Sequence, residues 1–133
     1  MKKTIVLLAV RHPAMMEGIR GLLETMFDSV VMVSDDISLL ETLARLDPDL
    51  VVVDLSLDVT RESYVAVLLN RYDPELKFIV LSTHEEYEIM EKCMSSGASA
   101  YVLKRSAGRD LGKAVDEVLK GATFVSPTIN GSQ

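Results

Sequence analysis

The amino-acid sequence predicts an α/β fold: a doubly wound, five-stranded parallel sheet with helices on both faces. Short apolar runs of strand length alternate along the chain with segments of helical period. Strands that are apolar on both faces are typical of a parallel sheet buried between helices. Two consecutive parallel strands must be joined by a right-handed crossover connection. The helical segment between each two predicted strands can form that connection.

The five predicted strands are TIVLLA at 4–9, VVMV at 30–33, LVVVD at 50–54, KFIVLS at 77–82 and AYVL at 100–103. Helices are predicted near 14–26, 36–46, 61–70, 85–96 and 107–120, and the first carries an apolar face of Met15, Ile19, Leu22 and Leu23. Turn-forming segments separate helices from the following strands: DPD at 47–49, DPE at 73–75 and SSGAS at 95–99.

Length and composition restrict the function. A chain of 133 residues is long enough for one domain with one good core. Its net charge of −6 argues against binding of nucleic acid or anionic membrane by this chain alone. The single cysteine, Cys93, excludes an internal disulfide and fits a reducing compartment.

No targeting or membrane segment is predicted. The run MKKTIVLLAV begins like a signal peptide, but Arg11 interrupts it and no small-residue cleavage site follows. No apolar run approaches the roughly 20 residues of a membrane span. We therefore expect a cytoplasmic protein with no membrane partner.

Chemically active side chains follow several of the predicted strands. In a doubly wound sheet such groups gather at the carboxyl ends of the strands, where the strand order reverses. A carboxylate, a hydroxyl and an ammonium at one edge suggest phosphoryl chemistry, with the carboxylate as acceptor and the other two holding phosphoryl oxygens. The groups are Val10, Arg11 and His12 after the first strand, Asp54 and Ser56 after the third, Ser82 at the fourth and Lys104 after the fifth.

The sequence resembles a response regulator receiver domain of the NarL/FixJ type, over about residues 4–120. The segments that carry the resemblance are DPDLVVVDLSL at 47–57, KFIVLSTH at 77–84, SSGASAYVLKRS at 95–106 and AVDEVLKGATFVSP at 114–127. It implies a flavodoxin-like (βα)5 fold with strand order 2-1-3-4-5. Receivers of this type usually precede a LuxR-type helix-turn-helix domain.

The resemblance also implies roles for individual residues. Asp54 matches the phospho-acceptor aspartate, Ser82 the hydroxyl that moves to bond the phosphoryl group, and Lys104 the lysine that pairs with both. Tyr101 matches the aromatic residue that swings inward as the hydroxyl moves. The backbone carbonyl of Ser56 matches a magnesium ligand, beside the Asp54 carboxylate.

Two positions depart from the family pattern. Where the family has an adjacent acidic pair before His-Pro, this chain has Val10 and Arg11. The local charge changes from about −2 to about +1, and Mg²⁺ is usually held through carboxylates. A guanidinium about 5 Å from Mg²⁺ is repelled by roughly 6 kcal/mol at an effective dielectric constant of about 20. We therefore expect weak or no Mg²⁺ binding and no other cofactor.

Arg11 has two possible arrangements. Its planar guanidinium suits a carboxylate, so it could reach Asp54, occupy the place of the metal and neutralise the pocket together with Lys104. Alternatively, its long side chain could extend into solvent and leave the pocket vacant.

Structural roles compete with some of these functional ones. Ser82 could simply bond backbone groups, and Tyr101 could be ordinary packing. Asp35 and Asp36 are predicted to cap the second helix rather than to replace the missing acidic pair. Met90, Cys93 and Met94 are predicted to be core residues.

Three function classes remain open. The chain could be a pseudo-receiver that acts by protein interaction, or a working receiver phosphorylated at Asp54 by a histidine kinase. An unrelated cofactor binder of the flavodoxin kind is poorly supported, because no glycine-rich phosphate loop follows the first strand. None of the preferred classes is an enzyme.

Partners and domain limits follow from the resemblance. Residues 1–122 are predicted to be the receiver domain, and 123–133 a tail or linker that could lead to an absent helix-turn-helix domain. Expected partners are a sensor histidine kinase or another signalling protein, and a second copy in a homodimer. DNA would be bound only through the missing C-terminal domain.

Overall fold

A computed structural model of the chain describes residues 4–57 and 64–127, which form one parallel sheet between two layers of helices. The strand order is β2-β1-β3-β4-β5-β6, and every pairing is parallel. The strands are β1 Ile5–Ala9, β2 Ser29–Val33, β3 Leu50–Asp54, β4 Phe78–Ser82, β5 Ala100–Leu103 and β6 Phe124–Val125. The flavodoxin-like, doubly wound architecture is as predicted.

The predicted number of strands is wrong by one. Phe124 pairs with Ala100 and Val125 with Tyr101, so β6 extends the sheet beyond β5. Two residues are too short a run for hydrophobic periodicity to indicate a strand. The sheet thus continues past residue 122 into the predicted tail, of which residues 128–133 lie outside the described part.

The helices are α1 Glu17–Glu24, α2 Asp36–Arg45, α3 Tyr64–Tyr72, α4 Tyr87–Ser95 and α5 Ala107–Leu119. The first helix was predicted from residue 14, but Pro13–Met16 form a 3-10 turn before it. Proline lacks an N–H and is tolerated in a first helical turn rather than inside a helix. The predicted start of the third helix, residues 61–63, lies outside the described residues.

Each face of the sheet has its own core. One core packs alternate strand residues, among them Val51 and Val53, against side chains of α2, α3 and α4. The other packs Leu50 and Val52 against α1 and α5. β3 is therefore buried on both faces, which confirms the prediction drawn from its continuous apolar run. Met90 and Cys93 belong to the first core, as expected.

Two local signals in the sequence have the predicted structural roles. The Asp35 side chain accepts a hydrogen bond of 2.7 Å from the Ser38 backbone N–H and caps α2, and this bond lowers the pKa of Asp35. Gly97, within SSGAS, has a φ of 111°, and a Cβ at this position would lie 2.4 Å from Oδ1 of Asn70. The positive φ is what favours glycine there, because the space of a Cβ is occupied only by the Asn70 side chain.

Across the two described stretches, we find no helix with the length and apolar character needed to span a bilayer.

Candidate functional site

The candidate site lies at the edge of the sheet where β3, β4 and β5 end. The pairing places Asp54 opposite Leu81, and Ser82 opposite Leu103. Lys104 follows Leu103 directly and begins a 3-10 turn, Lys104–Ser106. The parallel register therefore brings Asp54, Ser82 and Lys104 to one edge, as the sequence predicts.

Asp54 is a buried carboxylate with both oxygens engaged. Its residue exposure is only 4%. Lys104 Nζ lies 2.7 Å from Oδ2 in a salt bridge. The other oxygen, Oδ1, accepts hydrogen bonds from the Ser56 backbone N–H at 2.9 Å and from Ser56 Oγ at 2.8 Å. A buried carboxylate needs such partners, because removing an ionised group from water is costly unless its charge is compensated.

The 3-10 turn Leu55–Leu57 makes the Ser56 contact possible. It follows β3 directly and folds the chain back so that Ser56 faces the side chain two residues before it. The sequence suggested a role for the Ser56 carbonyl, but the structure shows bonds from its backbone N–H and hydroxyl. The role of its carbonyl as a metal ligand stays a prediction.

A cavity of about 410 Å³ opens beside the Asp54–Lys104 pair. It runs from the sheet edge between α1 and α5. Its lining residues are His12, Met16, Gly18, Ile19, Leu22, Asp54, Ser56, Lys104, Ala107 and Gly108. The Asp54–Lys104 salt bridge gives one end of this cavity a polar lining.

Ser82 and Tyr101 both bond the loop that follows β4. Ser82 is buried, and its Oγ accepts a hydrogen bond of 2.9 Å from the His84 backbone N–H. The Tyr101 hydroxyl donates a 2.8 Å hydrogen bond to the His84 carbonyl, and its ring is fully buried. Among the hydrogen bonds of the described residues none joins Ser82 to Asp54. The backbone-bonding role of Ser82 is thus present, and its phosphoryl-binding role stays a prediction.

We expect Tyr101→Phe to lower the free energy of unfolding by about 1 kcal/mol, the net value of one hydrogen bond. The ring remains buried, but the His84 carbonyl loses its donor, so amide exchange in the loop after β4 should accelerate. Urea denaturation and hydrogen exchange measure the two effects. Tyr87→Phe is the matched control, because the Tyr87 hydroxyl is exposed and lies 3.5 Å from Glu91. Equal effects of both changes would contradict the assigned role of Tyr101.

The predicted pairing of Arg11 with Asp54 is absent from the described contacts. Arg11 is exposed, whereas Val10 is fully buried in the core. The ion pair to Asp54 comes from Lys104. A solvated guanidinium keeps its hydration, and Lys104 already compensates the Asp54 charge, so the solvent-facing arrangement is the one observed.

A second polar cluster was missed by sequence reasoning. Asp110 at the start of α5 is 1% exposed, and its Oδ2 accepts hydrogen bonds from Ser106 Oγ at 2.8 Å and Ser126 Oγ at 2.9 Å. Ser126 Oγ in turn accepts the Leu103 backbone N–H at 3.0 Å. The spacing of Ser106 and Asp110, four residues apart on a helical start, could have indicated one contact. Nothing in the sequence indicates the contact with Ser126.

The cluster shifts the pKa of Asp110. Burial by itself raises this pKa, but hydrogen bonds from Arg109, Ser106 and Ser126, with the Arg109 charge, outweigh burial and lower it. Arg109 Nε lies 3.2 Å from Oδ1. Asp110 is thus held ionised in a buried position, where it joins the end of β5 to the segment after β6.

Comparison with known proteins identifies the family. Residues 6–116 match the response regulator receiver domain family. The transcriptional regulatory protein DegU of Brevibacillus brevis is 28% identical over 126 residues, which are 89% of this chain and 51% of DegU. The probable transcriptional regulatory protein NarL of Mycobacterium tuberculosis is 28% identical over 132 residues, which are 98% of this chain and 61% of NarL. The chain thus spans little more than half the length of these relatives.

Solved structures show the same fold. A LuxR-family two-component response regulator from Aurantimonas sp. SI85-9A1 has a TM-score of 0.85 at 26% identity, covering 96% of this chain and 93% of that one. The isolated REC domain of RcsB from Salmonella enterica serovar Typhimurium, in the presence of the phosphomimetic BeF3⁻, has a TM-score of 0.82 at 26% identity, covering 96% of each chain. The family match, the strand order and the carboxylate–lysine pair at the sheet edge agree, and the chain belongs to the response regulator receiver domain family.

Proposed function

We propose that this chain is a pseudo-receiver: a receiver domain of a LuxR-type regulator in which Mg²⁺-dependent phosphorylation of Asp54 is impaired and signalling runs through protein interaction. The observation that carries the proposal is the composition of the pocket. Asp54 lies at this edge, and both its oxygens are already bonded to Lys104 and Ser56. The positions that would supply two further carboxylates hold Val10 and Arg11.

The donor set fits Mg²⁺ poorly. The ion favours near-octahedral oxygen coordination, usually with one or two carboxylates. Val10 is buried and offers no side-chain oxygen, and Arg11 is a cation. Because Arg11 is exposed, its repulsion of an ion about 5 Å away falls to about 1.7 kcal/mol at a water-like dielectric constant of about 80. The lack of carboxylates at positions 10 and 11 is therefore the larger obstacle, and the positive charge of Arg11 adds to it.

A working phospho-receiver is the alternative, and the Asp54–Lys104 pair favours it. In that function an Asp54 oxygen attacks phosphorus, the donor's leaving group departs, and the Lys104 ammonium balances the phosphoryl charge. The 2.7 Å separation between Lys104 Nζ and Asp54 Oδ2 supports this alternative. Both functions thus share Asp54 and Lys104 and differ in whether transfer occurs at a useful rate.

Incubation with acetyl phosphate, followed by measurement of intact mass with and without Mg²⁺, separates the two functions. The native chain should gain little or no phosphate, whereas Val10→Asp/Arg11→Asp should gain one phosphate that depends on Mg²⁺. Asp54→Asn in the same background is the control and should gain none. Ready phosphorylation of the native chain at Asp54 would reject the pseudo-receiver and support the alternative.

The wider context of the proposal comes from the relatives. RcsB has been solved as two dimers bound to two parallel DNAs. We accordingly assign DNA binding to a C-terminal domain beyond this chain, and propose a histidine kinase or another cytoplasmic signalling protein, with a second copy of the chain, as partners. The net charge of −6 supports the division, because a DNA-binding surface is normally basic.

A further inference from the structure

We propose that the cavity between α1 and α5 binds a small amphipathic acid, with the acidic head at Lys104 and His12 and the apolar body between the two helices. The inference does not depend on whether Asp54 can be phosphorylated. It rests on the size of the cavity, the division of its lining into apolar and polar ends, and the hydrogen-bonding groups that its polar end leaves open.

The cavity has the dimensions of a ligand site. Its volume of about 410 Å³ lies within the roughly 300–1,000 Å³ that small-molecule pockets occupy. Met16, Ile19 and Leu22 line it from the α1 side and Ala107 from the α5 side. Ile19 and Leu22 are only partly buried, so apolar surface faces the cavity without being covered by the rest of the fold. An apolar ligand body would remove this surface from water.

Two glycines keep the space between the helices open. Gly18 of α1 and Gly108 of α5 both line the cavity, and a Cβ built at either position meets no atom within 4 Å. Both glycines lie in the first turns of their helices. The absence of a side chain at these two positions enlarges the cavity.

The polar end favours an anion. Lys104 uses one of its three N–H groups on Asp54, and the other two have no protein acceptor in the described stretches. His12 also lines the cavity, and its imidazole ring can offer an N–H donor. The Asp54 oxygens are occupied by Lys104 and Ser56, so they offer little to a ligand that donates hydrogen bonds.

The charge at this end agrees with an acidic ligand. Among the described residues that line the cavity, Asp54 and Lys104 carry charge, and as a salt bridge they cancel. Arg11 precedes His12 and is exposed at the end of the first strand, where it adds a positive charge next to a residue that lines the cavity. A carboxylate, sulfonate or phosphate head can therefore bond Lys104 without displacing Asp54. The class expected is a single acidic group on an apolar body.

The first test is a fluorescence titration of the chain with 8-anilinonaphthalene-1-sulfonate, followed by displacement with octanoate. Native protein should bind the probe saturably, and octanoate should displace it at concentrations at least tenfold lower than octanol, which lacks the charge. Gly108→Leu should weaken binding of the probe at least tenfold by filling the cavity. Gly112→Leu is the matched control and should bind as the native chain does, because Gly112 lies one turn further along α5 and does not line the cavity.

The second test is amide chemical-shift perturbation by octanoate, which needs no variant. Shifts centred on Ile19, Lys104 and Gly108 support the site. Shifts elsewhere, equal potency of octanol and octanoate, or equal probe binding by Gly108→Leu and Gly112→Leu would overturn it. Sedimentation velocity tests the remaining alternative, in which a second copy of the chain occupies the cavity. A dimer that dissociates in Gly108→Leu, together with no displacement of the fluorescent probe by octanoate, would assign the cavity to that second copy. This result would also overturn the proposal.

Discussion

Lys104→Met is expected to lower the free energy of unfolding at pH 7 by about 3 kcal/mol, because it leaves the buried Asp54 carboxylate without its counter-charge. The Lys104 Nζ to Asp54 Oδ2 distance is 2.7 Å, and the Asp54 side chain is 6% exposed. Ser56 still donates two hydrogen bonds to the carboxylate, but neither supplies a positive charge. The Lys104 side chain is 28% exposed, which places the effect near the lower end of the range for buried pairs. Urea denaturation measures it.

Two further variants isolate the cause. Arg105→Met removes the neighbouring cation, whose ion pair with Glu85 is exposed, and should cost less than about 1 kcal/mol. Asp54→Asn/Lys104→Met removes both charges and should recover most of the loss seen in Lys104→Met alone. If the double variant is as unstable as Lys104→Met, the loss comes from the packing of the lysine stem and the charge argument is wrong.

The fold was predictable because its strands are buried on both faces. The predicted third strand, 50–54, has the same limits as β3, Leu50–Asp54. An unbroken apolar run bounded by turn-forming residues leaves little choice of structure. β6 was not predictable in the same way, since Phe124 and Val125 become a strand only through pairing with β5. A two-residue strand is a tertiary contact rather than a local preference.

The site was predictable in its backbone placement and less so in its side-chain contacts. The ends of β3 and β5 determine where Asp54 and Lys104 lie, and the parallel sheet then brings them together. The direction of Arg11 is not determined in this way, because its long side chain can reach water from an edge position at little cost. The compensating cation is consequently Lys104, with Arg11 in solvent.

The contact between Asp110 and Ser126 joins residues 16 apart, with the remainder of α5, a turn and β6 between them. Such contacts have no period in the sequence, and a serine in a segment predicted to be a tail gives no reason to expect burial. Yet Ser126 is 1% exposed and bonds both Asp110 and Leu103, the residue before Lys104. The hydrogen bond from the Leu103 N–H to Ser126 therefore connects the end of β5, beside the candidate site, directly to the segment after β6.

Asp110→Ala is expected to lower the free energy of unfolding by about 3 kcal/mol and to loosen the segment after β6. The change removes the acceptor of Ser106 and Ser126, and a hydrogen bond to a charged group contributes about 1.5–3 kcal/mol. Ser126 remains buried with one donor unsatisfied. Exchange of the Ser126 amide, which donates to the Tyr101 carbonyl at 2.9 Å, should accelerate more than exchange in β3. Denaturation and hydrogen exchange measure the two effects.

Asp116→Ala is the matched control, because Asp116 lies on the same helix, is exposed and forms no side-chain hydrogen bond within the described ranges. It should change stability by no more than about 0.5 kcal/mol. Similar losses in Asp110→Ala and Asp116→Ala, with equal protection of the Ser126 amide, would show that the cluster does not hold this segment.

The pH dependence gives an independent check on the charge of Asp110. Its pKa in the folded chain is lowered from 3.8, the value it takes when unfolded, so the ionised form is bound more favourably in the folded state. Its contribution to stability is complete above pH 3.8 and is lost as the pH falls through the lowered folded pKa. The stability gap between native chain and Asp110→Ala should therefore be constant near neutral pH and shrink in acid. Denaturation of both proteins over this range tests it, and a gap that widens in acid would mean that protonated Asp110 is the form the cluster stabilises.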